Sequence, residues 1–221
     1  MVVAGDDALT QDIFRHNRNL NFKSNIFEVS TRIELSYFAS KKGNRYGIKR
    51  TIGKRHKART WEVMGFVGIG AFYYNPKGRT PAGGYVALKP LHTEGQGLEG
   101  GPKQYSNYSI CIPIGIAYRQ VIQKDYSIGI EINYRKTFTD YIDDVSTSYY
   151  DNDALKAAYG NQSAQLADPN LGLIYGATLP GGDGLAAQRG DVQKDTYLSF
   201  QITVGKFFAP KKRKARLRSK F

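Results

Sequence analysis

The 221 residues allow one domain with a sizeable core, and no apolar run approaches the roughly 20 residues that a spanning helix needs, which excludes a helical membrane protein. The single cysteine, Cys111, excludes a disulfide framework and a Cys-based metal site within one chain, and reads as a small packing residue. A formal charge of +13 raises the question of an acidic partner, and its distribution along the chain decides what kind.

In chain order, residues 1–24 are polar and loop-like, and the opening MVVAGDDALTQ carries no secretory signal. Residues 25–38 then alternate with period 2: Phe27, Val29, Thr31, Ile33, Leu35 and Tyr37 share one face, and Glu28, Ser30, Arg32, Glu34 and Ser36 the other. A basic linker, 39–60, leads to a second strand over 61–74. There Trp61, Val63, Val67, Ile69, Ala71 and Tyr73 form the apolar row, opposite a mixture of large and small residues suited to a narrow filled interior. A Gly- and Pro-rich loop, 75–104, precedes the most regular part of the chain.

That part is a pair of alternating segments, 106–120 and 125–139, either side of a short turn at 121–124. Tyr108, Ile110, Ile112, Ile114, Ile116 and Tyr118 make the apolar row of the first, and Tyr126, Ile128, Ile130, Ile132 and Tyr134 that of the second. Each row begins and ends in tyrosine. A soluble sandwich has no reason for this, whereas a membrane strand places amphipathic rings at both lipid–water boundaries. From Tyr108 to Tyr118, steps of ~3.3 Å tilted at ~45° rise about 23 Å, the height of an outer-membrane apolar band. Pro113 lies mid-strand, where a bulge or a local break in pairing is expected. The segment 140–194 is long and polar, with a short Ala-rich helix expected between Asn152 and Asp168. The last strand, 196–208, turns Leu198, Phe200, Ile202, Val204 and Phe208 outward, and Lys206 snorkels near its end.

These segments predict an all-β, antiparallel up-and-down outer-membrane β-barrel with a short helix in an extracellular loop. The domain spans 25–208, after a loop remnant (1–24) and before a basic tail (209–221). Five strands do not close a barrel, whose smallest common size is about eight, so three more and a signal peptide are expected upstream. Short turns face the periplasm in such barrels, which puts 39–60 and the tail there and the loops 75–104 and 140–194 outside.

Two basic clusters then fall on the periplasmic side. One holds Lys41, Lys42, Arg45, Lys49, Arg50, Lys54, Arg55, Lys57 and Arg59; the other holds Lys211, Lys212, Arg213, Lys214, Arg216, Arg218 and Lys220. Together they contain half of the 32 basic residues, and the rest of the chain is slightly acidic. Their expected partner is an acidic protein surface or anionic headgroups. The runs lack interleaved aromatics for base stacking, so no nucleic-acid partner is expected. The inward-facing charges Glu28, Arg32, Glu34, Glu62, Arg119, Glu131 and Arg135 are nearly balanced in sign, which reads as a paired polar plug filling a small barrel.

Signals for catalysis are weak. His16, His56 and His92 have no ligand spacing, and Gly95, Gly97 and Gly100 match a GxGxxG pattern that Pro102 follows where a helix would have to start. The acidic run Asp140, Asp143, Asp144, Asp151 and Asp153 lacks calcium-loop spacing and reads as a structural cluster. No enzyme activity, cofactor, metal or small-molecule substrate is expected.

The segments RNLNFKSNIFEVS, HTEGQG followed by YSICIPIGIAYR, and IGIEINYRKTFTDYIDDVSTSYYD resemble the PorG family of outer-membrane barrels in the type IX secretion machinery, the run from Thr139 to Ser146 most specifically. The resemblance covers most of residues 15–208. It implies an eight-stranded barrel in the outer membrane of a Gram-negative bacterium, seated over periplasmic ring proteins, with a signal peptide and three strands preceding RNLNFKS. It carries over no catalytic residue. The function so implied is a non-enzymatic component of protein secretion. A small pore or ligand-binding barrel is the alternative, and a soluble sandwich with acidic partners the third reading.

Overall fold

A computed structural model describes residues 1–37, 61–123, 126–174, 188–191 and 193–206. The fold is mostly antiparallel β. The long strands lie where alternation places them: β2 (Asn21–Tyr37), β3 (Trp61–Arg79), β5 (Tyr108–Gln123), β6 (Tyr126–Thr137) and β7 (Thr196–Lys206), with the short β1 (Val2–Asp6) and β4 (Tyr85–Ala87) added. The strand order is β1-β2-β3-β5-β6-β7, and β4 pairs with β3.

Several local expectations change. Residues 1–24 are not simply a loop. Val2 to Asp6 pair antiparallel with Asn25 to Asn21, and the α-amino group of Met1 donates to the Ile26 carbonyl at 2.9 Å. A six-residue helix, α1 (Ile13–Arg18), follows; Asp12 caps its N-terminus and Asn19, at φ 57°, closes it. β3 continues to Arg79 because Lys77 to Arg79 pair with Ala87 to Tyr85, inside the segment expected to be loop. β5 runs unbroken through Pro113, whose fixed φ suits an extended chain at the cost of one donor. The expected single helix is two, α2 (Asn152–Tyr159) and α3 (Asn161–Ala167), because Gly160 between them takes φ 90°.

The chain divides into two compact units. The first comprises Met1–Arg32, Gly68–Pro113 and Arg135–Tyr197. Its core is Ile26, Phe72, Tyr74, Tyr105, Cys111, Ile142 and Tyr197. Tyr105 stacks on Tyr141 with ring centres 4.5 Å apart. Within this unit the sheet curls, since Glu28 on β2 reaches both Arg135 on β6 and Tyr197 on β7. The helices and loops 80–107 and 138–195 also belong here. The second unit comprises Ile33–Val67, Ile114–Tyr134 and Leu198–Phe221, and its described part is strand. Met64, Phe66 and Ala117 form its small buried cluster. Burial alternates at every residue along β6, whereas β2 from Val29 to Tyr37 and β7 from Phe200 to Val204 are exposed at both parities.

Candidate functional site

Two groups of polar residues stand out, one on the inward faces of the strands and one in the loops of the first unit. On the strands, Arg135 Nε donates to Glu28 Oε2 at 2.6 Å, and Tyr197 Oη donates to the same oxygen at 3.1 Å. The Arg135 guanidinium also sits 5.4 Å from the Tyr197 ring centre. In the second unit, Ser36 Oγ donates to Glu62 Oε1 at 2.6 Å, and Arg119 lies 3.8 Å from Glu62 Oε2. Glu131 is buried beside Asn133, which donates to it at 3.4 Å. The strands thus bring together Glu28 with Arg135 and Glu62 with Arg119, while Arg32 and Glu34 lie on an exposed stretch of β2. The basic residues Lys41, Lys42, Arg45, Lys49, Arg50, Lys54, Arg55, Lys57, Arg59, Lys211, Lys212, Arg213 and Lys214 fall outside the described residues.

The loop group is built on an ion pair without solvent contact. Glu94, on the loop after β4, accepts the backbone amides of Ser146 (2.8 Å) and Thr147 (3.1 Å), the Thr147 hydroxyl (3.0 Å) and Arg189 Nη1 (3.2 Å). Arg189 in turn donates to the carbonyls of Asp144 (2.7 Å) and Ala167 (3.1 Å), so three segments and the end of α3 are tied to one side chain. The outer edge of the group is held by Arg18 on α1, which pairs with Asp7 at 2.7 Å and donates to the Arg189 carbonyl. The glycines at 95, 97 and 100 all have positive φ. At Gly95 a Cβ would lie 2.4 Å from the Tyr150 ring, so that glycine serves close packing, whereas Gly100 faces open space.

Carboxyl groups are the chemical signature of this region. Burial pushes Asp144 up to about 6, against the pull of Arg189 and of hydrogen bonds from Thr93 and Tyr105, both 2.5 Å. Burial and then the charge of Asp195 push Asp143 up to about 8. Asp195 rises to about 6, again through burial, although the Ile142 amide donates to it at 2.8 Å. Asp140 rises for the same reason. Asp143 and Asp195 face an open cleft of about 530 Å³ whose other walls are α1, Tyr149 and residues 188–191. Asp151 is otherwise engaged, capping α2. Among the described residues, no group of three or more His, Cys, Asp or Glu has metal-ligand geometry. Comparison with protein-family models, with curated proteins and with solved structures gives no match.

Sequence reading missed Glu94, Arg189 and the cleft. Each lies in a stretch without periodicity, and the two charged partners are separated by nearly half the chain. The one available signal was the density of Asp between 140 and 153, which marked the region but not its partners.

Proposed function

We propose that this chain is a non-enzymatic outer-membrane β-barrel component of a protein secretion system, with its strands against lipid and its basic segments toward periplasmic ring proteins. One observation carries the membrane reading: long antiparallel strands expose whole rows of apolar side chains. On β2 alone Val29 is 82%, Ile33 70% and Leu35 75% exposed, and Ile110, Ile114 and Ile116, Ile128, Ile130 and Ile132, and Phe200, Ile202 and Val204 continue the pattern on β5, β6 and β7. Water-facing surfaces rarely carry apolar patches beyond a few hundred Å², whereas hydrocarbon is the natural solvent of such rows. No helix among the described residues is long and apolar enough to cross a membrane.

The secretion role rests on the resemblance to PorG and on the two basic clusters, half of the chain's positive charge. The paired charges Glu28–Arg135 and Glu62–Arg119 favour a filled interior over an aqueous pore. The test replaces Lys49, Arg50, Lys54 and Arg55 with glutamate. The variant inserts normally, loses co-purification with periplasmic ring proteins and lowers export, while the unaltered chain's association with the ring weakens as salt rises. Normal co-purification in low and moderate salt contradicts the ring partner, and conductance in planar bilayers favours a pore.

A further inference from the structure

In the first unit the outward parity of β2 and β3 continues past its apolar rows toward the loops, and there it changes character. Phe27, Tyr73 and Tyr108 close the apolar rows of β2, β3 and β5 side by side, with ring centres 6.5 and 5.2 Å apart. The register of β2 against β3 follows from two glycines: a Cβ at Gly70 would meet the Ser30 Cβ at 2.8 Å, and one at Gly68 would meet that of Arg32 at 2.9 Å. It still holds at the loop end, where the Arg79 amide donates to Asn21 Oδ1 at 2.7 Å. In that register Asn25 lies opposite Asn75, and Lys23 lies opposite Lys77. The outer neighbours of the two lysines are Ala4 on β1 and Ala87 on β4, so this row holds two cations and no acid. In the next row the carboxylate of Asp6 is taken by Arg79 at 3.4 Å. Neither lysine has an ion pair among the described residues, and Lys23 Nζ lies 5.8 Å from the Tyr85 ring centre.

Like charges directly opposite each other across a strand pair are destabilising. Lysines do protect open sheet edges, but each of these sits between two paired neighbours, so edge protection does not explain them. We propose that Lys23 and Lys77 together bind the phosphate of an anionic lipid headgroup. The inference rests on the lipid-facing reading of the strands, which sets the depth. Four residues of ~3.3 Å tilted at ~45° put the lysines about 9 Å beyond the aromatic rings. Their flexible stems bring the ammonium groups back into a headgroup layer roughly 5 to 8 Å thick. Opposed side chains on one face start about 5 Å apart, close enough for both ammonium groups to converge on one phosphate. The carboxamides of Asn25 and Asn75 lie between that row and the rings and offer further donors.

The test reconstitutes the full chain in phosphatidylcholine vesicles. Electron spin resonance then compares the motionally restricted fraction of spin-labelled phosphatidylglycerol with that of spin-labelled phosphatidylcholine. Phosphatidylglycerol is expected to be preferred. Lys23→Gln with Lys77→Gln lowers the preference by about twofold or more, the effect of lysines at an anionic surface averaged over the lipids around the protein. Lys23→Arg with Lys77→Arg keeps it. Lys103→Gln with Lys156→Gln, which removes the same charge from exposed positions in a loop and on α2, leaves it unchanged. Equal restricted fractions for the two lipids, or a preference that the Lys23 and Lys77 glutamine variant does not lower, overturns the proposal and leaves the lipid-facing reading standing. No restricted fraction for either lipid overturns both.

Discussion

Arg189 divides its guanidinium among a carboxylate and two carbonyls and is almost wholly buried, so removing it leaves the Glu94 charge uncompensated. Breaking one side of a buried pair costs about 3 to 5 kcal/mol. Arg189→Ala therefore speeds hydrogen exchange at the Ser146 and Thr147 amides, which donate to Glu94, while β6 amides are unaffected. Asp143 gives the opposite kind of prediction. Its folded value of about 8 lies above the ordinary carboxyl value of about 4. Between those values the folded state binds more protons than the unfolded chain, so stability is greatest at the acid end and falls as pH rises through the window. Amide protection in residues 139–147 should drop from pH 5 to pH 8, and Asp143→Asn should flatten that dependence. A protection profile that rises with pH contradicts the raised value of this buried carboxyl group.

At the scale of elements, strand positions could be read because period 2 survives wherever one face is greasy and the other is not. β6 is the clearest example: Tyr126, Ile128, Ile130, Ile132 and Tyr134 alternate with Ser127, Gly129, Glu131, Asn133 and Arg135, and the exposure follows residue by residue. β1 was missed because its five residues, VVAGD, carry no alternation; register with Asn21 to Asn25 makes it a strand. The loop site was missed for a related reason. Glu94 and Arg189 are joined by packing between distant segments, and no local pattern announces such a pair. The lipid-facing parity has its own test in Ile130→Arg and Ile114→Arg. An arginine on the lipid face near mid-membrane costs about 2 to 4 kcal/mol. Urea unfolding in lipid vesicles should shift to lower midpoint for both, and far less for arginine at Gln201, which is exposed on the inward parity of β7. Equal midpoints for all three substitutions contradict the assignment of faces.

The whole molecule joins a mostly β fold, exposed apolar rows ending in aromatic rings and charge concentrated in two segments. In the proposed reading the outward parity of the strands meets lipid. The chain offers a built-in reporter, since Trp61 is its single tryptophan and stands at the start of β3 in the same outward row as Val63, Val67 and Ile69. It is 41% exposed, at the end of the row where an interfacial ring belongs. The measurement is Trp fluorescence of the protein reconstituted in phosphatidylcholine vesicles with bromine placed either near the headgroup or near the chain end. The account predicts strong quenching by the shallow bromine and weaker quenching by the deep one. Emission that neither brominated lipid quenches contradicts it.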